Sequence, residues 1–228
     1  MKRLFAFLSI FSIFGYSCNI SQQKNASSLN NLLQKHQIDT NNFEIFLRAF
    51  KQEQSLEVWI KNRSDKAFKR LIRYDFCTTS GVLGPKRKEG DLQIPEGCYW
   101  IDRFNPNSSF HLSLGLNYPN DSDRILGHPT TPGSDIFIHG GCASVGCIPI
   151  TNAKIETLYE LASRAKNQGQ SKIQVHIFPS KNISKLLQKN TEHQAFWQTL
   201  LPIFQHFENH HRLPKVWVTP QGEYKIAH

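Results

Sequence analysis

The stretch Asp135-Ile136-Phe137-Ile138-His139-Gly140-Gly141-Cys142-Ala143-Ser144-Val145-Gly146-Cys147-Ile148-Pro149-Ile150-Thr151 decides how this chain is read. Its β-branched and aromatic start predicts a strand over 135–139 that delivers His139 to its C-terminal end. A Gly-rich loop then turns the chain back, and Cys147 stands after Gly146, just before a predicted helix. That arrangement suits a cysteine nucleophile, which needs a thiolate, an imidazole to take its proton, and backbone N–H groups aimed at the oxyanion of a tetrahedral intermediate. Seven residues separate His139 from Cys147, a gap that one loop bridges. Gly146 permits the tight backbone that turns its own N–H and that of Cys147 inward. Cys147 is therefore the candidate nucleophile, His139 the candidate base, and the Gly146 and Cys147 amides the candidate oxyanion donors. Two other readings compete: an inert Cys147 buried at a strand-helix turn, and a zinc site of His139, Cys142 and Cys147, which lacks a fourth ligand at fixed spacing.

Working outward, Thr151 or Asn152 is expected to cap a helix whose apolar positions Ile155, Leu158, Tyr159, Leu161, Ala162 and Ala165 share helical spacing, with Gly169 stopping it. A strand is expected over 172–178. Upstream, 43–50 and 55–61 read as a hairpin, followed by strands over 71–78, 98–103 and 110–117. The loop 81–95 carries the basic cluster Lys86, Arg87 and Lys88, a solvated loop or a meeting point for carboxylates. The tail suggests a helix over 192–207 and a hairpin of 216–219 with 224–226. Its aromatics Phe196, Trp197, Phe204 and Phe207 are expected in the core, and His206 and His210 on a solvated face. The order is mostly strands, one central helix, then an α/β tail, which gives a β-dominated α+β class.

Lys2 and Arg3 precede a charge-free, largely apolar run from Leu4 to Phe14, the size of a signal-peptide core and too short to cross a bilayer as a helix. Gly15-Tyr16-Ser17-Cys18 then resembles a bacterial lipoprotein processing site, with Cys18 as the lipidated first residue of the mature chain; ordinary cleavage after Ser17 is the alternative. The expected organisation is a signal at 1–17, a polar tether at 18–42 with a helical turn or two around Leu29, Leu32 and Leu33, a catalytic domain at 43–180 and an extension at 181–228. The 228 residues fit one catalytic-sized domain with such appendages. A net charge of +9, or +7 once Lys2 and Arg3 are removed, favours an anionic partner: nucleic acid, lipid headgroups or an acidic wall polymer. Five cysteines are too few for a disulfide scaffold. If Cys18 is lipidated and Cys147 stays a thiol, Cys77, Cys98 and Cys142 remain; a Cys77–Cys98 bridge would leave Cys142 as a spare thiol, and a Cys142–Cys147 disulfide would silence the site.

His139-Gly140 followed by Ser144-Val145-Gly146-Cys147-Ile148 resembles the signature of the L,D-transpeptidase catalytic domain (YkuD-like) family. Ser80-Gly81-Val82-Leu83-Gly84-Pro85-Lys86, Glu89-Gly90-Asp91, Ile94-Pro95-Glu96-Gly97 and the stretch from Arg103-Phe104-Asn105-Pro106 to Asn117-Tyr118-Pro119-Asn120 are similar to its YafK-type branch. The resemblance covers residues 43–180. It implies a mixed, β-dominated fold, a thioester on Cys147 formed at a meso-diaminopimelate carbonyl of peptidoglycan stem peptides, and His139 as base. It further implies Lys86, Ser144 and Gly140 near the substrate, no cofactor, metal or nucleic acid, and a wall-linked protein as a further partner. Val145, where many members carry a second His, and the short His139–Cys147 gap fit the YafK-type branch and give hydrolysis equal standing with transpeptidation. A periplasmic protein held on a membrane by a lipid is the implied setting; a non-catalytic wall-binding lipoprotein is the alternative.

Overall fold

The computed structural model describes residues 26–189 and 192–227, so the signal expected at 1–17, the lipidation expected at Cys18 and the expected tether up to residue 25 lie outside the described residues. A helix over 26–35 (α1) precedes β1 (Phe43–Phe50), β2 (Ser55–Asn62) and β3 (Lys69–Asp75), which form an antiparallel meander. β4 (Gly97–Ser108) and β5 (His111–Leu116) form a second hairpin, followed by the short α2 (Asp121–Leu126), β6 (Phe137–His139) and β7 (Ile148–Pro149). After α3 (Asn152–Asn167), β8 (Gln174–Phe178) enters the sheet between β1 and β4 and gives the order β3-β2-β1-β8-β4-β5-β6-β7. β1 with β8 and β6 with β7 are parallel. The tail holds α4 (Ile183–Leu186), α5 (Gln194–His210) and the hairpin β9 (Lys215–Val218) with β10 (Tyr224–Ala227). This is the β-dominated α+β class the sequence predicts.

Side-chain alternation divides the core into two layers. From β1, Ile45, Leu47 and Ala49 join Ile155, Leu158, Leu161, Ala162 and Ala165 of α3 and Leu29 and Leu33 of α1. The alternate residues face α5: Phe50 with Phe178, Phe196, Trp197, Leu200 and Ile203, and Phe46 with Trp59 and Phe207. Covered on both sides, β1 reads as a nearly continuous apolar run rather than as an alternating one. The expected core roles of Phe196, Trp197 and Phe207 hold, while Phe204 is only half-buried.

Several local expectations are corrected. The N-terminal helix spans 26–35 instead of one turn or two. The segment 121–126 is helical because Asn120 accepts the Asp123 N–H while the Asp123 carboxylate accepts the Asn120 N–H, a capping box. The strand expected over 135–139 starts only at Phe137, since Asp135 has φ +55. Thr151 stands at the cap of α3 without a capping bond, and Asn152 instead accepts the Gly141 N–H at 2.8 Å, fastening the helix to the loop after His139.

One buried ion pair fixes the long loop before β4. Lys51 Nζ lies 3.2 Å from Glu96 and donates to the Gly84 and Ile94 carbonyls at 2.6 and 2.8 Å. Glu96 also accepts the Gly84 N–H at 2.8 Å and the Trp197 indole N–H at 2.7 Å. Loop, sheet and tail helix therefore share one carboxylate.

Two buried groups give the fold opposing responses to pH. Burial, and then the Arg48 charge, hold His176 down at about 3, whereas burial pushes Asp123 up to about 7. Between about 6.5 and 3 the unfolded chain binds a proton at His176 that the fold refuses, so acid costs stability, up to ~1.4 kcal/mol per pH unit. Between about 3.8 and 7 Asp123 holds a proton in the fold that the unfolded chain gives up, and acid adds stability. Asp123→Asn removes the counterweight. Its urea midpoint is expected to fall more steeply than the parent's from about pH 6.5 to about pH 4; parallel curves sink the assignment.

Candidate active site

The β6–β7 register pairs Ile138 with Ile148 and His139 with Pro149, so Cys147 stands abreast of Phe137. Strand periodicity then places Phe137, His139 and Cys147 on one face. The chain enters this position through Gly146, whose φ of +85 and 3.0 Å approach of a would-be Cβ to the Gln93 carbonyl leave no comfortable place for a side chain. At Gly140 a Cβ would lie 2.7 Å from both Asn152 Oδ1 and the Phe110 carbonyl, so this residue lets the His139 loop pack closely.

His139 and Cys147 line one cavity of about 290 Å³, together with Phe110, Ser113, Asn105 and Asn107. The His139 Nδ1 donates to the Gly140 carbonyl at 2.5 Å, which leaves Nε2 as the basic nitrogen. Phe110 covers the imidazole with ring centroids 4.6 Å apart. Burial holds the His139 pKa below the usual imidazole value, so the ring is a neutral base at pH 7. Burial raises the Cys147 pKa; the Phe137 N–H, at 3.4 Å from Sγ, and the Lys86 ammonium pull it down, while Asp135 pushes it up. The resting pair is thus a thiol beside a neutral imidazole. The thiol is turned to the Asp135 carbonyl, 3.6 Å away, and not to His139.

Both expected oxyanion amides already have partners. The Gly146 N–H donates to Ser80 Oγ at 2.7 Å, and the Cys147 N–H to Ser144 Oγ at 3.1 Å. Ser144 Oγ donates in turn to the Cys147 carbonyl at 3.0 Å, so it braces the Cys147 backbone. Lys86, expected in a solvated loop or at a meeting point for substrate carboxylates, is instead buried, and its ammonium is held by Asp91 of its own loop at 2.7 Å and the Lys88 carbonyl at 2.9 Å. Its reach to the site is through the field it exerts on Cys147.

The cysteine pairing is also corrected. Cys142 is bonded to Cys77, across a separation of 65 residues, while Cys98 is free and its thiol is driven far up by burial. A Cys142 held in a disulfide is no metal ligand, which removes the zinc triple of His139, Cys142 and Cys147. Among the described residues no other cluster of His, Cys, Asp or Glu stands ready for a metal. The bridge ties the end of β3 to the loop between His139 and Cys147. Closing a loop of that length is worth ~4 kcal/mol, so Cys142→Ser is expected to lower the unfolding free energy by that order in non-reducing urea titrations; a loss under ~1 kcal/mol contradicts this.

Sequence reasoning named Cys147, His139 and Gly146 and missed the roles of the Phe137 amide, Ser80 and the neutral wall of Asn105, Asn107 and Ser113. Ser80 carried a signal, since it opens a matched segment without an assigned task. The amide had none, because a strand register is not written in a single strand.

A family model described as the L,D-transpeptidase catalytic domain matches residues 44–177. The chain is 30% identical over 187 residues to YafK of Escherichia coli (strain K12), a protein carrying an L,D-transpeptidase name, covering 80% of this chain and 74% of that one. Among solved structures it is similar to the helical cell shape determining protein Pgp2 from Campylobacter jejuni, at 16% identity and TM-score 0.47, over 87% of this chain and 81% of that one.

Proposed function

The chain belongs to the L,D-transpeptidase catalytic domain family, and from that premise we propose that it is an exported cysteine enzyme acting on peptidoglycan stem peptides at a meso-diaminopimelate carbonyl. The observation that carries this reading is the placement of the Cys147 thiol and the neutral His139 imidazole on one face and in one open cavity, with the Phe137 N–H already donating to the sulfur. Rotation about the Cys147 side chain turns the thiol from the Asp135 carbonyl to the imidazole, which takes the proton as sulfur attacks the carbonyl carbon. The carbonyl oxygen displaces the Ser80 and Ser144 hydroxyls from the Gly146 and Cys147 amides, which then hold the oxyanion. Collapse breaks the C–N bond, the proton passes from His139 to the leaving amine, and a thioester remains on Cys147. Water or an amine, deprotonated by the same imidazole, then attacks the thioester and releases the thiol. With an amine the outcome is L,D-transpeptidation; with water it is hydrolytic release of a wall-linked protein or peptide.

Incubating purified cell walls with the protein and resolving the muropeptides by mass spectrometry tests this reading. New or lost L,D linkages that depend on Cys147 support it, and unchanged walls overturn it. Export and lipid anchoring at Cys18 belong to the same proposal. Cys18→Ser is expected to move the protein from the membrane pellet to the soluble exported fraction, and unchanged fractionation with no lipid mass on the parent's N-terminal peptide sinks the anchor.

A further inference from the structure

A second and larger cavity, about 730 Å³, lies between the first half of β4 and the C-terminal β9 and has no part in the chemistry above. Two indoles line it, Trp100 and Trp217, and Trp217 is 46% exposed. The chain's other two tryptophans show what is unusual here. Trp59 and Trp197 are buried, and each gives its indole N–H to a carboxylate, of Glu57 and Glu96 respectively. Trp100 and Trp217 form no hydrogen bond through theirs among the described residues; the Lys172 ammonium lies 4.4 Å from the centre of the Trp100 ring, while Trp217 is the exposed one of the two. Around them stand planar polar groups, including Asn117, Asp121 and Arg124. An aromatic face that accepts C–H groups, a free indole donor beside it and planar side chains able to grip neighbouring hydroxyls are the chemistry of a saccharide site.

The same wall disfavours an added peptide strand. The edge of β4 that faces the groove has its ladder groups taken: the Cys98 N–H by the Tyr224 hydroxyl at 3.3 Å, the Cys98 carbonyl by Asn120 at 2.9 Å, and the Trp100 N–H by Asn117 at 2.7 Å. A peptide there finds no backbone on β4 with which to pair.

We propose that this groove binds an N-acetylhexosamine unit of the polymer whose peptide is processed at Cys147, a subsite that deepens the function proposed above and rests on it. The two cavities adjoin along β4. The groove includes Asp102, the catalytic cavity begins at Asn105, and Arg103 bridges their rims by pairing with Asp102 at 3.1 Å and with Asp135 at 2.8 Å. Three strand residues span ~10 Å, a distance that about three extended residues of a peptide attached to the bound sugar cover.

The test uses a soluble tetramer of N-acetylglucosamine that carries no peptide, titrated into the parent, Cys147→Ala, Trp217→Ala and Arg124→Ala proteins, with tryptophan fluorescence and indole N–H shifts in NMR spectra as readouts. Saturable binding that moves the Trp100 and Trp217 signals, is equal in Cys147→Ala and falls at least tenfold in Trp217→Ala is the expected result. Because Cys147→Ala still binds, a failed muropeptide assay leaves this result standing and marks failure of the chemistry alone. No shift at millimolar sugar overturns the proposal, as does displacement of these signals by a free stem peptide instead. A Trp217→Ala protein that binds as the parent while Arg124→Ala does not would also overturn it, since the indole carries the argument.

Discussion

Cys147→Ala is expected to abolish turnover, and His139→Ala to lower kcat/KM by about 10² to 10⁴, the usual worth of a positioned base. The asymmetry follows from the resting state. Burial keeps Cys147 a thiol, so without the imidazole only a small thiolate fraction is left to react, whereas without the sulfur there is no acyl carrier at all. The pH profile carries the same signature. His139 must be neutral to act, its pKa lies below the usual imidazole value because of burial, and the acid limb of kcat/KM is therefore expected below about 6.5 and to disappear in His139→Ala. Trapping a thioester and locating it by mass spectrometry on Cys147 confirms the nucleophile. Retained activity in Cys147→Ala ends the thiol mechanism, and an acid limb that survives in His139→Ala assigns the base elsewhere.

Lys51→Met is expected to cost about 3 to 5 kcal/mol of unfolding free energy, because it leaves Glu96 charged, unpaired and fully buried. It also releases the Gly84 and Ile94 carbonyls, so the loop that carries Ser80 to the Gly146 N–H loses its anchor. Lys51→Met with Glu96→Gln, which removes the orphaned charge while keeping an acceptor for Gly84 and Trp197, is expected to recover part of the loss in urea titrations. Equal midpoints for the single variant and the parent would show that this pair does not hold the loop.

What could be read beforehand follows from where the information sits. β1 is a nearly continuous apolar run and α3 buries a face at helical spacing, so their positions are visible in local pattern alone. His139, Gly146 and Cys147 were legible because a short gap and a glycine turn constrain them within one stretch. The Cys77–Cys142 pair and the Lys51–Glu96 clamp were not, because each joins segments 65 and 45 positions apart that meet only in the assembled fold. Lys86 misled for a related reason: three consecutive basic residues look solvated until Asp91, five positions on, folds back onto the first of them. α2 was short enough to hide, although Asn120 and Asp123 stood at capping-box spacing.

The bridge between Cys77 and Cys142 has a consequence for how the molecule comes into being. In the unfolded chain Cys142 finds Cys147 across 5 residues and Cys77 across 65, and the difference in closure entropy favours the nearer partner by ~2 kcal/mol. Random oxidation therefore tends first toward the pairing that consumes Cys147, the nucleophile proposed above. The native bond wins only where exchange among thiols is fast, or where β6 and β7 have already drawn Cys147 onto the sheet before an oxidant arrives. The fraction of chains that keep Cys147 as a free thiol then depends on how oxidation is timed against folding as much as on the stability of the finished fold.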